Sequence, residues 1–140
     1  MTTNSDILNK HSGFILIADD DLDDQELLGD AFHAIDKSLA LEFIHNGNKV
    51  IRYLEKLPDA ELPSLIILDY NMPELNGVEI LKVLNGGGRY KLIPKIIWST
   101  SNSIVYKNIC LQLGATDYIV KPSDLASFGS IAQHMLSHIA

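Results

Sequence analysis

Asp69 ends the apolar run Leu65-Ile66-Ile67-Leu68 and is followed by Tyr70-Asn71-Met72-Pro73-Glu74-Leu75-Asn76-Gly77, where turn residues replace the apolar pattern. That places an ionisable carboxyl at the carboxyl end of a buried strand. Asp19 and Asp20 follow Phe14-Ile15-Leu16-Ile17-Ala18 in the same way, and Lys121-Pro122 follow Tyr118-Ile119-Val120. If the three strands are parallel neighbours, one crevice gathers three acids and one ammonium. Two carboxylates about 4 Å apart repel by ~4 kcal/mol at an effective dielectric of about 20, and Asp69 adds to that load. A divalent cation with oxygen ligands relieves it. Mg²⁺ suits the set best, because it accepts few carboxylates, keeps waters and takes phosphate oxygens as further ligands; Mn²⁺ or Ca²⁺ is the alternative. No His or Cys lies at these strand ends, which argues against zinc there.

Other residues are weighed against plainer roles. Lys121, placed immediately before Pro122 at a strand end, reads as an oriented point charge for a phosphoryl oxygen, and the Lys121-Pro122 bond is a candidate cis peptide. Ser99 closes the fourth apolar run and is placed to hydrogen-bond the same anion, with a helix cap as its plainer role. Asp21, Asp23 and Asp24 suit a helix start, where the positive end of the dipole favours acids. His134 and His138 share i,i+4 spacing, read here as a solvated helix face. Trp98 and Tyr118 read first as core aromatics of strands.

Elements capable of positioning these groups are visible in the periodicity. Apolar runs at Phe14 to Ala18, Leu41 to Ile44, Leu65 to Leu68, Ile96 to Ser99 and Tyr118 to Val120 alternate with stretches of helical period. The first helix carries Leu27, Leu28, Ala31, Phe32 and Ile35, and the second Val50, Ile51 and Leu54. The third carries Val78, Leu81 and Leu84, and stops at Gly86-Gly87-Gly88. A fourth spans about Asn102 to Leu113 and ends at Gly114, suited to a left-handed C-terminal position. The last carries Leu125, Phe128, Ile131, Ala132, Met135 and Ile139. Five strands and five helices in strict alternation predict an α/β fold with a doubly wound parallel sheet, whose ligands bind beyond the carboxyl ends of the strands.

Composition narrows the function classes. The chain has 140 residues, enough for one domain. The segment 1–12 is polar and aperiodic, which predicts a flexible arm rather than a signal peptide; after Lys121-Pro122 only one helix fits, which predicts no output domain. Apolar stretches fall far short of the roughly 20 residues that span a bilayer. A net charge of -7 with no basic cluster argues against direct nucleic-acid binding. Cys110 is the sole cysteine, a small core residue in this reading, and the natural setting is a reducing cytoplasm.

Taken together and in order, these motifs resemble the receiver domain of two-component response regulators, over about Gly13 to Ala140. Asp19-Asp20 is similar to the family's acidic pair, Asp69 to its phosphoacceptor, Ser99 to its switch hydroxyl, Tyr118 to its switch aromatic and Lys121-Pro122 to its lysine with cis proline. The resemblance implies strand order 2-1-3-4-5 and a stand-alone receiver domain over residues 13–140. It implies Mg²⁺ held by Asp20, Asp69 and the Asn71 backbone carbonyl, with Asp19 acting mostly through water. It further implies that Asp69 accepts a phosphoryl group from a histidine kinase or phosphotransfer protein, and that Ser99 and Tyr118 then repack the surface of the last two helices and fifth strand. That surface would bind a downstream protein or a second copy. Such a protein catalyses only its own phosphorylation and dephosphorylation. Thr100 departs from the Ala or Gly common after the switch hydroxyl.

Three other readings compete, the last two from other classes. A relay intermediate would pass the phosphoryl group on. A flavodoxin-like electron carrier would need a neutral, hydroxyl-rich loop after the first strand, where this chain has Asp19-Asp20-Asp21. A phosphohydrolase using Asp69 would need a substrate-enclosing insertion, and no connection is long enough.

Overall fold

Every predicted apolar run forms a strand in the computed structural model, which describes residues 13–139; the expected arm over 1–12 lies outside the described residues. The strands are β1 (Ile15–Ala18), β2 (Leu41–Ile44), β3 (Leu65–Asp69), β4 (Lys95–Ser99) and β5 (Asp117–Val120). They alternate with α1 (Leu22–Ile35), α2 (Gly47–Glu55), α3 (Gly77–Asn85), α4 (Ile104–Gln112) and α5 (Ser127–Leu136). A single 3-10 turn, Asp59–Glu61, precedes β3 and was not expected from periodicity. All strand pairs are parallel, in the order β2-β1-β3-β4-β5.

That order explains the run pattern. Strands β1, β3 and β4 are central and buried along their whole length, so both faces demand apolar residues. On one face Ile15, Ile17, Leu65, Ile67, Ile96 and Trp98 pack with Leu28 and Phe32 of α1 and with Phe128, Ala132 and Met135 of α5. On the other, Leu16, Ala18, Ile66, Leu68, Ile97 and Tyr118 pack with Val50, Leu54, Ile80, Leu81, Leu84 and Cys110. Cys110 is thus a core residue, and burial pushes its thiol up to about 11, which leaves it unreactive at neutral pH.

Local chemistry sets the helix ends. The Asp21 side chain caps α1 by accepting from Asp24 N at 3.1 Å, six residues before the apolar period begins at Leu27. Ser103, not Ser99, caps α4, accepting from Tyr106 N at 3.3 Å. Gly114 takes φ +99 past α4, and Ala115 N donates to Cys110 O at 3.0 Å to close the turn. No cis peptide bond occurs among the described residues, so Lys121–Pro122 is trans, contrary to the expectation; trans is the intrinsically favoured form even before proline. No helix among them is long and apolar enough to cross a membrane.

The loop from Tyr70 to Asn76, which carries Asn71, is braced by α2. Asn46 and Asn48 donate to Glu74 Oε2 at 3.2 and 2.6 Å, holding Glu74 at a left-handed φ of 70°. The Asn76 and Glu79 side chains form a reciprocal capping box that starts α3. Gly47 lies against this loop so closely that an added Cβ would fall 1.8 Å from the Leu75 carbonyl oxygen.

Gly47→Ala should therefore lower stability to urea by ~2 kcal/mol, an overpacking cost against backbone. Gly87→Ala, where an added Cβ meets nothing within 4 Å, should change it by less than ~0.5 kcal/mol. Equal stabilities for the two variants would show that α2 does not brace the loop.

Candidate functional site

Register brings the predicted acids together. Ala18 pairs with Leu68 and Asp69 with Trp98, so Asp19, one residue past Ala18, comes level with Asp69. Side chains alternate along a strand, and Asp19, Asp69 and Trp98 therefore continue the face of Ile17, Ile67 and Ile96, above the core formed with α1 and α5. Asp19 is 0% and Asp69 5% exposed. Asp20 turns outward and is exposed. Carboxylate oxygens of Asp19, Asp20 and Asp69 nonetheless lie within 4.8 Å of one another.

Both oxygens of Asp19 are engaged inside the protein. Its Oδ1 accepts from Asp21 N at 2.9 Å, and its Oδ2 accepts from the Trp98 indole N–H at 2.9 Å. Lys121 arrives from the end of β5, whose backbone N–H at Lys121 donates to Ser99 O at 2.7 Å. Its Nζ lies 3.0 Å from Asp19 Oδ2, 2.9 Å from Asp24 Oδ2 and 3.5 Å from Asp69 Oδ2. The ammonium also stands 5.6 Å from the Trp98 ring centroid. Asn71, exposed on the following loop, donates its N–H to Asp69 Oδ1 at 3.2 Å.

Ser99 and Tyr118 stand apart from this cluster. Ser99 continues the Ile97 face, opposite Asp69, and its hydroxyl accepts from Ser101 N at 3.1 Å. Tyr118 is the second residue of β5, paired with Ile97, rather than a strand-end residue. Its ring is already buried, and its hydroxyl donates to Ser101 O at 2.7 Å. The repacking expected of this ring would thus start from a buried position. Thr100 is exposed beside them.

Two members of the cluster escaped sequence reasoning. Asp24 counted there only as a helix-start acid, yet it is the nearest partner of Lys121. Its signal is its place in the first turn of a helix that follows the acidic pair. Trp98 counted as core, yet a fully buried indole N–H requires an acceptor, and Asp19 supplies it. Gln25 adds a further brace, donating to Asp19 O at 2.8 Å and Ile44 O at 3.1 Å, which ties the ends of β1 and β2 together.

Electrostatics follow from burial and crowding. Burial first, then the shared hydrogen bond and negative charge of Asp19, push the Asp69 carboxyl up to about 8, against the opposing pull of Lys121. Burial alone would lower Lys121, but its contacts with Asp24, Asp19 and Asp69 outweigh that and raise it above the usual lysine range, so it is fully charged. Three carboxyls, from Asp19, Asp24 and Asp69, face one ammonium, and Asp20 adds a fourth acid beside Asp19 and Asp69. Such an all-oxygen group, with surplus negative charge and one exposed member, fits a hard divalent cation.

In the metal-free protein the raised Asp69 pKa makes folding stability fall with pH. Well below pH 3.8 both states hold the proton, and stability is full. Between the ordinary value of 3.8 and about 8 the unfolded state ionises while the folded state resists, so stability drops by up to ~1.4 kcal/mol per pH unit. Asp69→Asn should flatten this decline in chelator-treated protein, measured by urea unfolding from pH 4 to 8. An unchanged pH profile in the variant would show that Asp69 is ionised without metal.

Comparison with known proteins agrees with this architecture. The profile of the response regulator receiver domain matches residues 15–133. Two-component response regulator ORR5 of Oryza sativa subsp. japonica is 33% identical over 93 residues, covering 66% of this chain and 67% of that protein. Two-component response regulator ARR7 of Arabidopsis thaliana is 26% identical over 134 residues, covering 90% of this chain and 64% of that protein. The phosphorylated cyanobacterial phytochrome response regulator RcpA superposes with a TM-score of 0.82 at 23% identity, covering 92% of this chain and 94% of that one. The Mn²⁺-bound form of response regulator Rcp1 gives 0.78 at 24% identity, covering 89% and 91%. At such identities the structural likeness concerns the fold, and the profile match carries the assignment: the chain belongs to the response regulator receiver domain family.

Proposed function

We propose that this protein accepts a phosphoryl group on Asp69 from the phosphohistidine of a histidine kinase or phosphotransfer protein, and signals by phosphorylation-dependent binding of another protein. The observation that carries this reading is a buried carboxyl at the end of a central strand, with Lys121 Nζ at 3.5 Å and an acidic group shaped for a cation beside it. Asp20, Asp69 and the Asn71 carbonyl would hold Mg²⁺, and response regulator Rcp1 has a Mn²⁺-bound form. When bound, the cation supplies positive charge that favours the Asp69 anion and offsets charge on phosphoryl oxygens. Asp19, its oxygens engaged by Trp98, Lys121 and the Asp21 N–H, would act at one remove through water.

The Asp69 anion attacks phosphorus, and an O–P bond forms as the N–P bond of the donor breaks. The electron pair goes to the donor imidazole, which takes up a proton. Lys121 neutralises the transferred oxygens, and the Asn71 N–H orients the carboxylate; positioning and charge neutralisation do the work. To reach the new group Lys121 has to loosen its contact with Asp24 at 2.9 Å. Ser99 lies at the neighbouring strand end and would hydrogen-bond the phosphoryl group after leaving Ser101 N. Loss of that bond propagates to Ser101, whose carbonyl holds Tyr118. Exposed Ile104, Val105 and Ile109 of α4, Val120 of β5 and Leu125 before α5 offer an apolar surface within reach of that change.

With acetyl phosphate and Mg²⁺, wild-type protein should incorporate one phosphoryl group and Asp69→Asn none. Label retained by Asp69→Asn would refute the assignment. Asp20→Asn should lose most of the Mg²⁺-induced rise in Tm; an undiminished rise would exclude Asp20 as a ligand. Ser99→Ala should still be labelled, while hydrogen exchange over residues 102–112 and 123–134 should no longer respond to beryllofluoride. A full wild-type response in that variant would place the switch elsewhere.

A further inference from the structure

At the opposite end of β5 from Lys121, a second cluster stands outside the acidic crevice. His134, in the last turn of α5, and His138, in the turn beyond it, both direct Nε2 at the same oxygen of Asp117, the first residue of β5. The distances to Asp117 Oδ2 are 2.7 Å and 2.9 Å. The two rings stand edge to face, with centroids 5.2 Å apart and planes at 79°. The other carboxylate oxygen accepts from Tyr118 N at 2.8 Å, which fixes the orientation of the group.

We propose that Asp117, His134 and His138 form a binding site for Zn²⁺, separate from the acidic crevice and independent of the role of Asp69. Two imidazoles one helical turn apart and one carboxylate make a donor set that imidazole-preferring first-row ions occupy and Mg²⁺ does not. One carboxylate oxygen and one ring nitrogen from each histidine already lie within 4.8 Å of one another. Metal bonds of roughly 2.0–2.2 Å at tetrahedral angles need donor separations of about 3.4 Å. The present contacts of 2.7 and 2.9 Å therefore have to open by roughly 0.5–0.7 Å, and the His134 side chain, 57% exposed, has room to rotate. The Asp117 carboxylate is ready as a ligand: burial works against ionisation, but hydrogen bonds from His138 and His134 outweigh it and hold the group below the ordinary carboxylate range.

Coordination requires each imidazole to present the Nε2 lone pair, with its proton on Nδ1. Exposure at His134 leaves that Nδ1–H in contact with water, and leaves the fourth metal position open to water. The bound ion would pin the end of α5 to the start of β5. The two ends of this strand would then serve ions of opposite character, a hard cation near Lys121 and a borderline-soft one at Asp117.

Calorimetric titration of the whole chain with Zn²⁺, in excess Mg²⁺ to occupy the acidic crevice, tests this. Wild type and Asp69→Asn should each bind a single Zn²⁺ with micromolar or tighter affinity. His138→Ala should weaken binding at least tenfold, and the double variant His134→Ala/His138→Ala should abolish it. Co²⁺ added to wild-type protein should give the intense visible bands of a tetrahedral site, a readout that needs no variant to fold. The proposal is overturned if wild type binds no Zn²⁺ under these conditions, if the double variant keeps wild-type affinity, if Asp69→Asn loses the site, or if Co²⁺ gives only the weak spectrum of an octahedral ion.

Discussion

The Lys121 ammonium lies within 3.5 Å of carboxylate oxygens from Asp19, Asp24 and Asp69, in a place where its side chain is only 7% exposed. Removing charges from water costs several kcal/mol per ion, and attraction recovers this only where geometry and hydrogen bonds are good. Here they are good for Asp19, which also accepts from Trp98 and from the Asp21 backbone, and poorer for Asp69. The shortfall falls on Asp69, whose carboxyl resists ionisation. A group held neutral by its surroundings, but ionised when positive charge arrives, is what a metal-dependent nucleophile requires. The protonation state of Asp69 thus links the physics of the crevice to its proposed chemistry.

Sheet order and register make that crevice. With β1 beside β3 and β3 beside β4, Asp19 just past β1, Asp69 at the end of β3 and Trp98 near the end of β4 meet on one face. Ser99 and Tyr118 share the other face, which separates groups that would sense the phosphoryl group from groups that would receive it. Ser99 and Tyr118 are linked to each other through the backbone of Ser101, and the two sets meet where Lys121 N donates to Ser99 O at 2.7 Å.

Much of this was legible in the sequence because the informative residues follow buried runs. Asp19, Asp69 and Lys121 interrupt an apolar period at a point where only function or a turn explains a charge. Helix boundaries were less legible: α1 begins at Leu22 because Asp21 caps it, a signal hidden among neighbouring acids. Asp24, Trp98 and the His134–His138–Asp117 cluster were not legible as partners. Each depends on contact between residues far apart in the chain: 97 positions for Lys121 and Asp24, and 79 for Trp98 and Asp19. The trans bond at Pro122 follows the intrinsic preference of the peptide rather than the cis form expected, while Tyr118 is buried as its reading as a strand aromatic implied.

The most direct measurement is the carboxyl ¹³C chemical shift of Asp69, followed by NMR as a function of pH in metal-free protein and in saturating Mg²⁺. The account predicts that without metal Asp69 titrates far above the usual 3.8, near 8, and that with Mg²⁺ it is ionised across the neutral range. Titration near 3.8 in the metal-free protein, or a titration unmoved by Mg²⁺, would contradict it.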